Sequence, residues 1–141
     1  MIYEAIEKFY NGYDGRKCVI CYSLKGKDIF AFHIGYPTGR KFISKYAIHG
    51  REWITAKLAL KHIKAGVKKG GGWIIPLVNP DGAAISESVR TLWKANARGV
   101  DLNCNFDADW GSGRLNTKRR GGENCIGDSP FSESETRALK N

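Results

Sequence analysis

Two residues three apart, His49 and Glu52 in the run His49-Gly50-Arg51-Glu52-Trp53, are the first pair in the chain with the chemistry to hold a metal. Imidazole nitrogen and carboxylate oxygen are both good zinc donors, and at the junction of a strand and a helix they can converge on one ion. The same spacing also serves as a surface pair or a helix cap, so the pair does not decide the matter alone. The other histidines are poor partners for it. His62 lies well up the following helix, roughly 15 Å from Glu52 at helical rise. His33 falls in an earlier strand and reads as a packed or paired side chain. Cys18 and Cys21 are spaced C-x-x-C, but inside an apolar strand-like run, where residues three apart point to opposite faces. They read as buried free thiols, with no second C-x-x-C to complete a site.

The elements that must position the His-Glu pair follow from apolar spacing. Ile2, Ala5, Ile6 and Phe9 predict a helix over 2–10, broken by Asn11-Gly12 and Asp14-Gly15. Strands are expected over 18–24 and 29–34, joined as a hairpin through 25–28. A third strand over 41–48 ends at His49. Glu52 then opens a helix running to about Lys69, where its carboxylate favours the N-terminal end of the dipole. Ala56, Leu60, Ile63 and Val67 form the inward row of that helix, and Gly70-Gly71-Gly72 is expected to stop it. Residues 73–78 are a continuous apolar run, as in a buried strand, with Pro76 marking a bulge or an end. Asn79-Pro80-Asp81-Gly82 reads as a turn. Strand, helix, strand in this order is a right-handed crossover, so the class is α/β, with a mixed, mostly parallel sheet flanked by helices. Residues 83–127 read as mostly loop, and Ser132-Glu133-Ser134-Glu135 as a capping box opening a last helix.

Composition narrows the function classes. With 42% hydrophobic and 26% charged residues the chain can build a core, which excludes disorder throughout. The net charge of +9 favours acidic partners. However, Lys57, Lys61, Lys64 and Lys68 recur at helical spacing beside the apolar row, as on a solvated helix flank, and no aromatic-plus-basic signature of a nucleic-acid module appears. No nucleic acid is therefore expected as a partner. The start of the chain has no basic region followed by an apolar one, and no apolar run reaches membrane-spanning length. The expectation is a soluble, cytoplasmic protein.

Four motifs in order carry a resemblance. His49-Gly-Arg-Glu-Trp53, Asn79-Pro-Asp-Gly82, the segment Trp93-Lys-Ala-Asn-Ala-Arg-Gly-Val-Asp-Leu-Asn103, and Pro130-Phe-Ser-Glu-Ser-Glu-Thr-Arg-Ala-Leu139 together resemble the zinc carboxypeptidases, the carboxypeptidase A-like metallopeptidases. The resemblance covers nearly the whole chain and implies the N-terminal portion, residues 1–141, of a single catalytic domain. It implies that His49 and Glu52 are two of three protein ligands of a catalytic Zn2+. It implies a cation that stabilises the oxyanion, either Lys94, directly after Trp93, or Arg98. Arg51 matches an arginine near the substrate, or equally braces neighbouring carboxylates, and Asn103 matches an asparagine that helps hold the substrate's C-terminal carboxylate.

Two departures shape the expected function. Cys104 stands where the family places an arginine after that asparagine, and a thiol cannot grip a carboxylate in a bidentate, charge-assisted pair. Simple carboxypeptidase action is therefore in doubt. The Trp-Lys-Ala-Asn segment also resembles bacterial peptidases that cleave γ-D-glutamyl–diaminopimelate bonds, which makes a cell-wall peptide a candidate substrate. Further, the family's third zinc ligand and its general base have no match in this sequence. The expectation is a zinc metallopeptidase inactive as the 141-residue piece; a non-catalytic, peptide-binding remnant of the same fold is the alternative.

Overall fold

A computed structural model describes residues 1–140. Helix α1 (Ile2–Asn11) leads into strand β1 (Lys17–Tyr22), which pairs antiparallel with β2 (Asp28–Gly35). Strand β3 (Lys41–Lys45) leads through a 3-10 turn at Gly50–Glu52 into helix α2 (Ile54–Ala65). Strand β4 (Gly71–Ile75), helix α3 (Pro80–Ser88), a 3-10 turn at Leu102–Cys104 and helix α4 (Ser134–Lys140) complete the described chain. The strand order is β1-β2-β4-β3, with β2–β4 antiparallel and β3–β4 parallel. The α/β class and the mixed sheet are as expected. Parallel pairing is the minority, however, because β1 and β2 form a hairpin and only β3–α2–β4 is a crossover.

The sheet separates two apolar layers. Ile2 and Ile6 of α1, and Ala56, Ala59 and Ile63 of α2, pack on Phe30, Phe32, Ile34 and Ile74. Ile29, Ala31, Ile75, Val78 and Leu102 form the other layer, where α4 contributes Leu139. Cys18 and Cys21 both join this second layer, contrary to the alternation expected of them. The register slips between Val19 and Cys21, so Cys18 faces Ala31 and Cys21 faces Ile29, two residues that share one side of β2. A bulge of one residue restores both thiols to the same face. Both are free, and burial, with Glu135 nearby, pushes the Cys21 thiol up to about 11.

Boundaries moved where glycine and asparagine act. α2 ends at Ala65, short of Lys69, because Gly66 turns left-handed at φ 65° and its N–H closes on the His62 and Ile63 carbonyls. Lys68 thus lies beyond the helix, and Gly71 and Gly72 begin β4 instead of ending α2. β3 ends at Lys45, although Tyr46 N–H still donates to the Ile75 carbonyl and Asn79 N–H to that of Ala47, carrying the chain alongside β4's extension up to His49. The expected turn at 79–82 is the start of α3: Asn79 caps it by accepting from Gly82 N at 2.9 Å, and Pro80 takes the first helical position.

Packing is tight where the 3-10 turn meets α3. Gly50 N–H donates to the Lys94 carbonyl at 3.0 Å. A Cβ on Gly50 would sit 2.4 Å from the Gly82 carbonyl oxygen and 2.8 Å from that of Trp93, both of them backbone atoms. Gly50→Ala therefore has to push three segments apart, and a cost of about 1–3 kcal/mol is expected. Gly12→Ala is the control: its nearest contact would be 3.8 Å, and a change within about 0.5 kcal/mol is expected. Urea unfolding of the two variants against the parent checks the contrast.

Candidate metal and substrate site

Four segments distant in sequence meet around His49. The first is the 3-10 turn itself, on which His49 Nδ1 lies 2.9 Å from Glu52 Oε1. The second is 93–96, held by buried Asn79, whose Nδ2 donates to the Ile48 carbonyl at 3.2 Å and the Ala95 carbonyl at 3.1 Å. One amide side chain thus fixes the residue before His49 and the residue after Lys94 to the start of α3. The third is Asp101, fully buried, whose Oδ1 lies 3.3 Å from His49 Nε2 and whose Oδ2 lies 2.7 Å from Lys94 Nζ. The ring and Lys94 contacts are ionic rather than well-aligned hydrogen bonds, so His49 Nε2 and Asp101 Oδ2 retain unused directional capacity. Asp101 Oδ1 also accepts from Asn103 N at 3.1 Å, fixing the 3-10 turn that carries Asn103 and Cys104.

The electrostatics follow from these contacts. Asp101 is the main cause that raises the His49 pKa above its ordinary value; burial opposes the shift and Glu52 adds to it. Burial pushes the Asp101 carboxyl up, but His49 and Lys94 outweigh it and hold the group below the usual carboxylate range. Burial, then the neighbouring Asp101, push the Cys104 thiol up to about 11. Cys104 is therefore a neutral thiol at neutral pH and carries no charge to a substrate.

The fourth segment is the loop tip at Glu123 and Asn124. Glu123 Oε1 lies 2.6 Å from Arg51 Nη1, and Asn124 Oδ1 accepts from Lys94 Nζ at 3.5 Å. The tip is pinned from behind, since Asp101 N–H donates to the Cys125 carbonyl at 2.9 Å and Thr117 pairs with Cys125 in a parallel bridge.

The structure thus brings His49, Glu52, Arg51 and Lys94 together. Arg98 is directed elsewhere: its Nε lies 3.3 Å from Glu133 Oε2, on a side chain that Asn96 Nδ2 also holds at 2.8 Å. Asn103 and Cys104 line a polar pocket of about 220 Å³ together with Asp109, Ser112 and Asn116. His62 is bonded to Tyr46 through Nδ1 at 2.6 Å, and His33 stacks edge-on to Trp73, so neither joins the site. The Ser132–Glu135 run opens α4 but not as a reciprocal box. Ser132 Oγ donates to Glu133 Oε1, and Asn105 Oδ1 accepts from Glu133 N and Thr136 Oγ1 instead.

Asp101 and Glu123 have no part assigned by the sequence, and Asn79, expected only in a turn, also holds the site together. Asp101 stands two residues before Asn103 inside a segment already singled out, and that position was the available signal. Glu123 is separated from Arg51 by 72 residues in an irregular loop, where no pattern announces it.

The donors suit zinc as far as they go. An imidazole nitrogen and a carboxylate oxygen face each other, and the far side of the ring is braced by a buried carboxylate, an arrangement typical of zinc-bound histidine. Among the described residues no group of three or more His, Cys, Asp or Glu side chains converges to hold a metal ion. Likewise, no helix is long and apolar enough to cross a membrane.

Comparison with known proteins agrees with the motifs. The zinc carboxypeptidase family model matches residues 2–141. Mast cell carboxypeptidase A of Homo sapiens is 27% identical over 142 residues, a match covering 84% of this chain and 34% of that protein. Bovine thrombin-activatable fibrinolysis inhibitor, solved in complex with tick carboxypeptidase inhibitor, superposes with a TM-score of 0.80 at 22% identity, over 98% of this chain and 51% of that one. The murein-tripeptide amidase of Escherichia coli O157 superposes with a TM-score of 0.67 at 28% identity, over 92% of this chain and 55% of that one. The chain thus spans about a third of the curated relative's length and about half that of these solved structures. With the family model covering all but the first residue, this chain is a member of the zinc carboxypeptidase family.

Proposed function

We propose that these residues supply the first half of a zinc metallopeptidase site that hydrolyses peptide bonds, with a lean toward cell-wall peptides containing diaminopimelate. The observation that carries the reading is the His49–Glu52 pair at 2.9 Å, braced by buried Asp101 and flanked by Lys94. His49 and Glu52 are the residues that would hold the metal. Zinc, when bound, lowers the pKa of its water and polarises the scissile carbonyl. Asp101, with Oδ1 3.3 Å from Nε2, keeps the His49 ring oriented by its charge. Lys94 is the better placed of the two candidate oxyanion cations, because it sits beside His49 while Arg98 is committed to Glu133. Its ammonium is also paired with Asp101, so its service at an oxyanion requires it to turn partly from that carboxylate.

The cell-wall lean rests on neutral Cys104 at the place of a carboxylate-gripping arginine, and on the likeness to the murein-tripeptide amidase. A second reading, a non-catalytic peptide-binding domain, is favoured by one observation: only two ligands converge among the described residues. On the first reading, a third ligand and a general base are supplied by residues other than these.

Three outcomes are expected. Zinc titrated calorimetrically into the chain binds weakly, and His49→Ala abolishes the signal, since two ligands chelate poorly and one worse. Asp101→Asn weakens binding about 10- to 100-fold, as loss of a brace behind a ligating histidine does. Because His49's pKa is raised, protons compete with the metal from a higher pH than for a free imidazole. Affinity therefore falls as pH drops through that raised value, and Asp101→Asn moves the fall to lower pH. Identical titrations of parent and His49→Ala would place any binding elsewhere.

The 141-residue chain with zinc shows no turnover of peptide or γ-glutamyl–diaminopimelate substrates above a His49→Ala blank, because nothing described here takes the proton of an attacking water. In any longer active form, Cys104→Arg raises kcat/KM on substrates with a free C-terminal carboxylate relative to cell-wall peptides. An unmodified enzyme that already trims generic peptides efficiently would overturn the reading of Cys104.

A further inference from the structure

The cations around His49 are already engaged by the chain's own groups. Arg51 is met by Glu123 at 2.6 Å, Lys94 by Asp101 at 2.7 Å and by Asn124 at 3.5 Å, and Arg98 by Glu133 at 3.3 Å. Two of these contacts come from consecutive residues of one loop tip. Asn124 adopts a left-handed conformation, φ 60°, which asparagine tolerates better than most side chains and which turns the chain sharply between the two contacts. The Cys125 carbonyl, holding Asp101 N–H, fixes the height of the tip over the site. Glu123 is itself 60% exposed on its side chain, so the pair is open to solvent and to an incoming ligand.

We propose that Glu123 is a specificity-determining residue: a built-in carboxylate that occupies Arg51 and turns the cleft away from peptides presenting a free carboxylate there, in favour of those presenting an amide or an ammonium group. The inference rests on the reading of this cleft as a peptide site. Arg51 beside the metal motif would otherwise offer a planar, bidentate fork to an incoming carboxylate. With Glu123 in place, such a group must displace an existing partner and approach a second negative charge. An exposed ion pair of this kind contributes little to folding, so its consequence lies in selection rather than stability. Cys104 acts in the same sense, since it leaves the neighbouring pocket without the cation that a C-terminal carboxylate would use.

The test is a titration of the zinc-free chain with N-acetyl-dialanine and with its C-terminal amide, read by NMR at the Arg51 side chain. The parent is expected to bind the acid no better than the amide. Glu123→Gln and, as a second variant, Glu123→Ala are expected to shift the preference toward the acid by about twofold to fivefold at low salt, the range set by an exposed pair. The shift should fade at high ionic strength, while Glu123→Asp stays near the parent. An acid-to-amide ratio unchanged in both variants, or a gain shared equally by the two ligands, overturns the proposal while leaving a peptide site in place. Absence of binding by either ligand to every variant overturns the peptide-site reading itself, and the proposal with it.

Discussion

The contact on which the site depends is the buried carboxylate of Asp101 between His49 and Lys94. A charge of this kind cannot stay buried alone. Lys94 and, when it is protonated, His49, together with the Asn103 N–H, are what allow it to remain ionised inside the protein. In return it fixes the histidine ring, the candidate oxyanion cation and the turn that carries Asn103 and Cys104. The attraction has a bounded pH window. Asp101's pKa is depressed, so its stabilising contribution is present above the ordinary carboxylate pKa of about 4 and is lost as pH falls through the folded value. His49's pKa is raised, so its share is present at low pH and is lost as pH rises through that raised value. The two overlap in mildly acidic to neutral solution.

Around this charge the irregular backbone is held by buried amide side chains rather than by helices. Asn79 joins Ile48, Ala95 and α3. Asn96 Oδ1 accepts from Arg98 N and Val100 N while its Nδ2 donates to Glu133. Asn105 Nδ2 reaches the Ile126 and Ser129 carbonyls and Ser132 Oγ, and its Oδ1 takes the first donors of α4. All three are fully buried. Each carries a donor pair and an acceptor on one planar group, which lets a single side chain close the turns that a loop otherwise leaves to water.

This division explains what the sequence could reveal. Elements with an apolar period were legible: α1 from Ile2, Ile6 and Phe9, the hairpin from its two apolar runs, α2 from Ala56 and Ile63. The His49–Glu52 pair and the neutral thiol beside Asn103 were legible from residue type and order. The run 83–127 was not, because much of its order comes from asparagines that bind partners as far as 37 residues away and leave no period behind. The start of α3 was misread as a turn for a related reason: Asn-Pro-Asp-Gly satisfies turn chemistry and an N-cap with proline at the first helical position equally well, and the buried bonds of Asn79 decide for the helix. The bulge in β1 was invisible since alternation alone cannot register a skipped residue.

The spacing of the segments that surround His49 has a consequence for the order in which the chain acquires its properties. During synthesis the N-terminal part emerges first, at about 5–20 residues per second. The α1–β1–β2 unit and the β3–α2–β4 crossover contain both candidate metal ligands, and their sheet pairings lie within the first 75 residues. Asp101 and the Glu123 tip arrive later, seconds behind on that timescale. Until they dock, His49 lacks the carboxylate that does most to raise its pKa, and Arg51 lacks its Glu123 partner. A nascent chain can therefore present a histidine–glutamate pair to solvent before it possesses the charge that disciplines it, and the site's electrostatic character is a late property of the fold, completed only when the asparagine-bound loops have closed.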